Sequence, residues 1–173
     1  MSFCVHLAKE SFKFSSTHFT IFSAISAERL HGHNYQLYCD IELTELNSTL
    51  GMAFDFNLIK PEIKALCDEV DERILIAAKS PYLKFKYIGD SLEMQFADRR
   101  YVFPKADCVE LAVVNITSEE LARYFCEKLW LRLVQAKIED LNQPKFRSLQ
   151  IRIEETRGQS VSYKKSIYPH EAH

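Results

Sequence analysis

Apolar and polar residues are patterned for strands at both ends of the chain and for helices between them. Ser11 to Phe19 and Asn34 to Leu43 read as β-strands, the second rich in Tyr, Leu and Ile, and Asn47 to Gly51 reads as a turn. The period then changes. Ile59, Ile63, Leu66 and Val70 recur at helical spacing, which predicts a helix capped by Asn57 and running to about Asp71, with Pro61 tolerated in its first turn. Thr117 and Glu120 have the spacing of a capping box before a second helix to about Lys137, in which Leu121, Phe125, Leu129 and Leu133 line one stripe beside Trp130. Between the helices, Tyr82 to Ile88, Leu92 to Phe96 and Tyr101 to Phe103 predict short strands around tight turns such as Gly89-Asp90, an inserted β-element over residues 82–103. Ser148 to Glu155 alternates again, and after a turn at Arg157-Gly158 the stretch Val161 to Tyr163 closes the pattern. The order implies an α+β fold, a four-stranded antiparallel sheet with two helices on one face. Such a sheet has two open edges, which pairing with another copy would protect.

With 173 residues and 47% apolar side chains, the chain suits one domain, residues 1–173, with a polar tail at 168–173. Net charge is −2, and no Lys/Arg block is interleaved with aromatics, which excludes an evident nucleic-acid footprint. Met1 to Lys9 lacks a signal-peptide pattern and no apolar run approaches membrane-spanning length, so the expectation is a cytoplasmic protein. Five scattered cysteines, Cys4, Cys39, Cys67, Cys108 and Cys126, are poor material for a disulfide framework and read as small buried residues.

The candidate chemistry lies in His18 and in His31-Gly32-His33. Side chains at i and i+2 of a strand share a face, so His31 and His33 converge, and His18 from the preceding strand adds a third nitrogen. Three imidazoles leave a fourth position open, the arrangement of a catalytic zinc. Glu28 and Asp55 are candidate carboxylates for orienting ligands or for acid-base work. Of the other histidines, His6 reads as a strand-surface residue, and His170 and His173 lie in the tail.

Five segments, taken together, carry a family resemblance: Phe14-Ser15-Ser16-Thr17-His18, Arg29-Leu30-His31-Gly32-His33-Asn34-Tyr35, Gly51-Met52-Ala53-Phe54-Asp55-Phe56, Thr117-Ser118-Glu119 and Glu155-Thr156. In this order the chain resembles the 6-pyruvoyl-tetrahydropterin synthase and 6-carboxytetrahydropterin synthase superfamily over most of its length. The resemblance implies the tunnelling (T-fold) architecture, with trimers stacked as a hexamer. It also implies zinc on His18, His31 and His33, and a pterin pocket at a subunit interface. Glu155 matches the glutamate that anchors the pterin, a carboxylate able to accept two parallel hydrogen bonds, and Thr117 and Ser118 match further pocket contacts. Thr117 as a helix cap alone and Glu155 as a strand-end surface charge are the plainer readings.

Two departures bear on the reaction. Where common members carry a catalytic cysteine the chain has Ala27, followed at once by Glu28, and the expected Asp-His pair reads Asp71-Glu72. This resembles a variant in which glutamate replaces the cysteine and 7,8-dihydroneopterin triphosphate is cleaved to 6-hydroxymethyl-7,8-dihydropterin for folate synthesis. A carboxylate is a weaker base than a thiolate by about 4 pKa units, roughly 6 kcal/mol of proton-transfer driving force, unless burial raises Glu28. Deprotonating a hydroxyl for retro-aldol cleavage asks less than deprotonating carbon. The resemblance therefore implies a zinc-dependent pterin lyase with Glu28 as acid-base residue, assisted by Asp71 and Glu72. The alternatives are the 6-pyruvoyl or 6-carboxy synthase outcome, the latter a queuosine-pathway step, and a pterin-binding protein without catalysis. Arg29, Arg99 and Arg100 are candidate triphosphate contacts.

Overall fold

The computed structural model describes residues 2–136 and 146–167; Lys137 at the predicted helix end and the tail 168–173 with His170 and His173 lie outside them. The strands are β1 (Phe3–Leu7), β2 (Lys13–His18), β3 (His31–Leu43), β4 (Arg73–Ala77), β5 (Leu83–Ile88), β6 (Ser91–Phe96), β7 (Arg99–Pro104), β8 (Cys108–Leu111), β9 (Phe146–Thr156) and β10 (Gln159–Ser166). The helices are α1 (Lys60–Val70) and α2 (Ser118–Gln135).

The expected four antiparallel strands are β10, β9, β3 and β2, hydrogen-bonded in that order. The sheet is nevertheless larger than expected, with seven strands of mixed direction. Beyond β2 it continues through β4 and β8, each parallel to its neighbour, and β1 pairs antiparallel with β3. The two parallel additions are short. β4 is a nearly continuous apolar run, Ile74 to Ala77, without the alternation that marks a half-exposed strand.

In β3, Tyr35, Leu37, Cys39, Ile41 and Leu43 are buried at every second position. They meet Ile63, Leu66, Cys67 and Val70 of α1 and Leu121, Phe125, Leu129 and Leu133 of α2 in one core. Asn57 does not cap α1. Asp55 accepts from the Asn57 backbone N–H to open a short 3-10 turn, Phe56–Leu58, and the α-helix starts only at Lys60, with Ile59 at its cap. Thr117 caps α2 as expected, accepting from the Glu120 N–H at 3.3 Å, but the Glu120 carboxylate pairs with Arg123 and leaves the reciprocal half of the box unmade.

The insertion is a separate antiparallel meander, β5-β6-β7. Gly89, at φ +55°, takes the first position of the two-residue turn between β5 and β6, a conformation that glycine adopts without a Cβ clash. Leu92, Met94 and Phe96 form a second apolar cluster with Phe19 and Ile76, which docks the meander on the start of the loop after β2. Among the described residues no helix is long and apolar enough to cross a membrane.

Candidate active site

The inward face of β3 does not end at Tyr35. His33 and His31 continue the same alternation toward the strand's beginning. In register, His18 lies opposite His31, Ser16 opposite His33 and Phe14 opposite Tyr35, so Phe14, Ser16 and His18 form the matching inward row of β2. The core face thus passes from aromatic packing, with Phe14 stacked on Tyr35 at 4.8 Å, into imidazoles without changing side. One ligand atom from each of His18, His31 and His33 lies within 4.8 Å of the others, the convergence expected from the spacing.

Second contacts fix the rings. His18 Nδ1 lies 3.1 Å from the Ile116 carbonyl and His31 Nδ1 lies 2.7 Å from the Arg29 carbonyl. A carbonyl only accepts, so each Nδ1 donates and each Nε2 presents its lone pair inward. Burial, followed by the neighbouring His31, lowers the His18 pKa and favours the neutral form that binds metal.

Glu155 continues the inward row of β9, and its Oε1 lies 3.5 Å from both His18 Nε2 and His33 Nε2. The Tyr35 hydroxyl donates to that Oε1 at 3.1 Å and lies 2.9 Å from His18 Nε2. Burial, with the Glu155 charge next, raises the Tyr35 pKa and keeps the phenol neutral. Two acceptor atoms, Glu155 Oε1 and His18 Nε2, therefore compete for one hydroxyl proton. The His18 Nε2 lone pair faces the carboxylate at 3.5 Å, and a cation among the imidazoles would relieve the conflict, so the residues fit a divalent metal.

From the other oxygen of Glu155 the site opens outward. Ser118 Oγ donates to Glu155 Oε2 at 3.4 Å, and a cavity of about 290 Å³ is lined by Thr20, Thr117, Ser118, Glu119, Glu155, Gln159, Ser160 and Val161. Thr117, Ser118 and Glu155 thus meet at one pocket beside the imidazoles. Thr117 is both a helix cap and a pocket wall. A larger cavity of about 570 Å³, near Phe3, Met52, Phe54 and Phe56, carries none of the three imidazoles. Asp55 lies there and caps its turn, so the structure does not bring it to the trio.

Glu28 is held at the edge of the trio, with Oε2 4.0 Å from His31 Nε2. That oxygen accepts from the Thr20 N–H at 2.9 Å, while the Glu28 N–H donates back to the Thr20 carbonyl, also at 2.9 Å. Desolvation acts to raise the Glu28 pKa, but the Thr20 hydrogen bonds and the nearby imidazoles outweigh it, and the net shift is downward. Burial therefore does not raise Glu28 and close the gap to a thiolate base. The group is ionised at neutral pH and only partly covered.

Asp71 and Glu72 stand elsewhere in the chain. Asp71 Oδ1 accepts from the Ser15 N–H at 2.7 Å, and the Glu72 N–H donates to the Ser15 carbonyl at 2.7 Å. Ser15 is three residues before His18, about 10 Å along β2. Within one chain these two residues tie the end of α1 to the sheet and do not join Glu28.

Several residues that hold the site carried no motif. Asn115 donates from Nδ2 to the Ile21 carbonyl at 2.9 Å and accepts from the Ile21 N–H at 3.0 Å, fastening the loop that leads to Glu28. Arg99, at the start of β7, donates to the carbonyls of Glu28 at 2.6 Å and Ala27 at 3.0 Å. Its guanidinium is therefore engaged in holding the Glu28 loop, and Arg100 pairs with Glu93 at 2.8 Å, so neither stands as a ready triphosphate contact. Tyr35 stands in the sequence as part of a strand and of the segment with His31 and His33, with no role of its own assigned to it. Its parity with His31 and His33 is the signal that places it at the site.

A sheet covered on one face by two helices, whose covered face runs out into convergent imidazoles and a pocket carboxylate, defines an α+β protein of the T-fold class. The profile of the 6-pyruvoyl tetrahydropterin synthase family matches residues 6–166, and the chain belongs to that enzyme family. A Methanocaldococcus jannaschii protein to which 6-carboxy-5,6,7,8-tetrahydropterin synthase activity is attributed is 27% identical over 156 residues, covering 90% of this chain and 91% of its own. A Pyrococcus horikoshii protein with the same attribution is 30% identical over 118 residues, 68% of this chain and 69% of its own. Among solved structures, 6-pyruvoyl tetrahydropterin synthase from Plasmodium falciparum superposes with a TM-score of 0.87 at 25% identity, covering 96% of this chain and 99% of that one. The Plasmodium vivax enzyme gives the same TM-score and coverage at 22% identity, and two of its variants replace a glutamate described as a catalytic residue with alanine or cysteine.

Proposed function

We propose that the protein is a zinc-dependent lyase that cleaves 7,8-dihydroneopterin triphosphate to 6-hydroxymethyl-7,8-dihydropterin. The observation that carries this reading is Glu28, an ionised carboxylate 4.0 Å from His31, directly after the alanine that stands in the expected cysteine position. The catalytic glutamate of the Plasmodium vivax enzyme supports the assignment of acid-base work to a carboxylate. A lowered pKa makes Glu28 a poor base toward carbon but leaves it able to take a proton from an acidified hydroxyl.

His18, His31 and His33 would hold the zinc, whose charge acidifies the hydroxyls of the substrate side chain. Glu155 accepts hydrogen bonds from the amino group and ring N–H of the pterin, with Thr117 and Ser118 beside it. Glu28 takes the proton of the C2′ hydroxyl. The C1′–C2′ bond then breaks, C2′ leaves as an aldehyde with the triphosphate, and its bonding pair passes through C1′ into the dihydropterin ring as an enamine. Return of the proton from Glu28 to C1′ gives the hydroxymethyl product. Phe22 and Ile25, 67% and 84% exposed on the loop before Glu28, favour a site completed by a neighbouring copy in a hexamer of two trimers. In that assembly Asp71 and Glu72 assist from a neighbouring subunit.

Incubation of the purified protein with dihydroneopterin triphosphate and separation of the pterins tests the reading. Hydroxymethyl-dihydropterin is the expected product, and pyruvoyl or carboxy product alone would overturn it. Glu28→Gln is expected to lower turnover at least ~100-fold while metal content stays unchanged. The second reading, a 6-carboxytetrahydropterin synthase, is favoured by the names of the archaeal relatives, and the same separation distinguishes it.

A further inference from the structure

The outward face of the sheet carries a second group of ligand-type side chains. Cys4 and His6 alternate outward from β1, opposite Glu42 and Asp40 of β3. Asp40 is an even-numbered position of β3, on the face away from His31 and His33 and roughly 23 Å along the strand from His33. His6 Nδ1 lies 2.6 Å from Asp40 Oδ1 and 4.0 Å from Cys4 Sγ, and one atom from each of the three residues falls within 4.8 Å of the others.

We propose that Cys4, His6 and Asp40 form a second metal site, built for zinc or a similar borderline divalent ion. Tetrahedral bonds of about 2.0 to 2.3 Å place ligand atoms about 3.3 to 3.8 Å apart. Small rotations of the exposed His6 and Cys4 side chains therefore complete the set. A sulfur, an imidazole nitrogen and one carboxylate oxygen select zinc or cobalt over magnesium or calcium, which require several oxygens. Asp40 is already oriented from behind, because its other oxygen accepts from Gln150 Nε2 at 3.1 Å. Glu42 is engaged by Lys164 at 2.7 Å and Ser148 at 3.1 Å and stays outside the set. Three protein ligands leave water the fourth position. Because among the described residues β1 pairs with β3 alone, an ion bridging Cys4 and His6 to Asp40 fastens this strand to the sheet.

Cobalt separates this site from the imidazole trio, which has no sulfur. The reduced, metal-stripped full-length protein is titrated with Co²⁺ and followed in the near ultraviolet, where thiolate-to-cobalt charge transfer absorbs. The expected result is a band complete by two cobalt per chain in the unaltered protein and by one in His31→Ala, and absent in Cys4→Ser. Cys39, Cys67 and Cys126 are buried and would not supply it. His6→Asn provides a second check, with an expected loss of one bound zinc per chain by elemental analysis. Absence of the band, or its persistence in Cys4→Ser, would overturn the proposal whatever the trio binds.

Discussion

His18 shows how one position can serve both the core and the chemistry. It is 2% exposed and belongs to the buried row of β2, yet its Nε2 faces the other imidazoles because the Ile116 carbonyl takes the proton on Nδ1. Burial lowers its folded pKa below the unfolded value of about 6.5. As pH falls through that value the unfolded chain takes up the proton first, so stability present above pH 6.5 is lost toward the folded pKa. Thermal unfolding of the metal-free protein is expected to show a melting temperature that falls between about pH 7 and pH 5.5, with a smaller fall in His18→Gln. A flat profile would contradict this account of His18. The histidines were legible because strand parity is a local rule. Tyr35 was less so, since only the tertiary approach of Glu155 turns a core tyrosine into a site residue.

At the scale of elements, the inserted meander is a brace for the loop that carries Glu28. Phe19 stacks on Tyr101 at 5.8 Å and packs on Phe96 at 5.9 Å, and Arg99 reaches from β7 to the carbonyls of Ala27 and Glu28. Asn115 grips the same loop from the segment before α2. Replacing Arg99 with alanine removes two charge-assisted hydrogen bonds and is expected to lower kcat about 10- to 100-fold with metal content unchanged. Steady-state kinetics with the proposed substrate, dihydroneopterin triphosphate, reads this directly, and unchanged kcat would remove the meander from catalysis. The sequence located these strands but not their purpose. An arginine bound to main-chain carbonyls leaves no spacing pattern, because its partners lie about 70 residues away. β4 and β8 were missed for a related reason: β4 is a short, largely buried run without alternation and β8 spans four residues, and their pairing depends on where α1 and the meander return the chain.

For the whole molecule, the proposed function calls for a site shared between copies of the chain. The pocket beside Glu155 lies open, apolar Phe22 and Ile25 stand exposed on the loop before Glu28, and Asp71 and Glu72 are hydrogen-bonded to Ser15 in the same chain. Sedimentation is expected to give a mass of six chains, and a monomer that is fully active would contradict the shared-site arrangement. The general architecture was readable from element order, whereas mixed strand direction and the second ligand cluster emerged only with the register of β1, β3 and β4. The central claim is that His18, His31 and His33 grip a divalent ion whose open side faces the pocket. Anomalous diffraction at the zinc edge from crystals of the pterin-bound protein tests it most directly. The account predicts a peak about 2.0 to 2.1 Å from one nitrogen of each of the three rings, with the bicyclic ring held on Glu155; a pterin bound on Glu155 with no anomalous density among the imidazoles would contradict it.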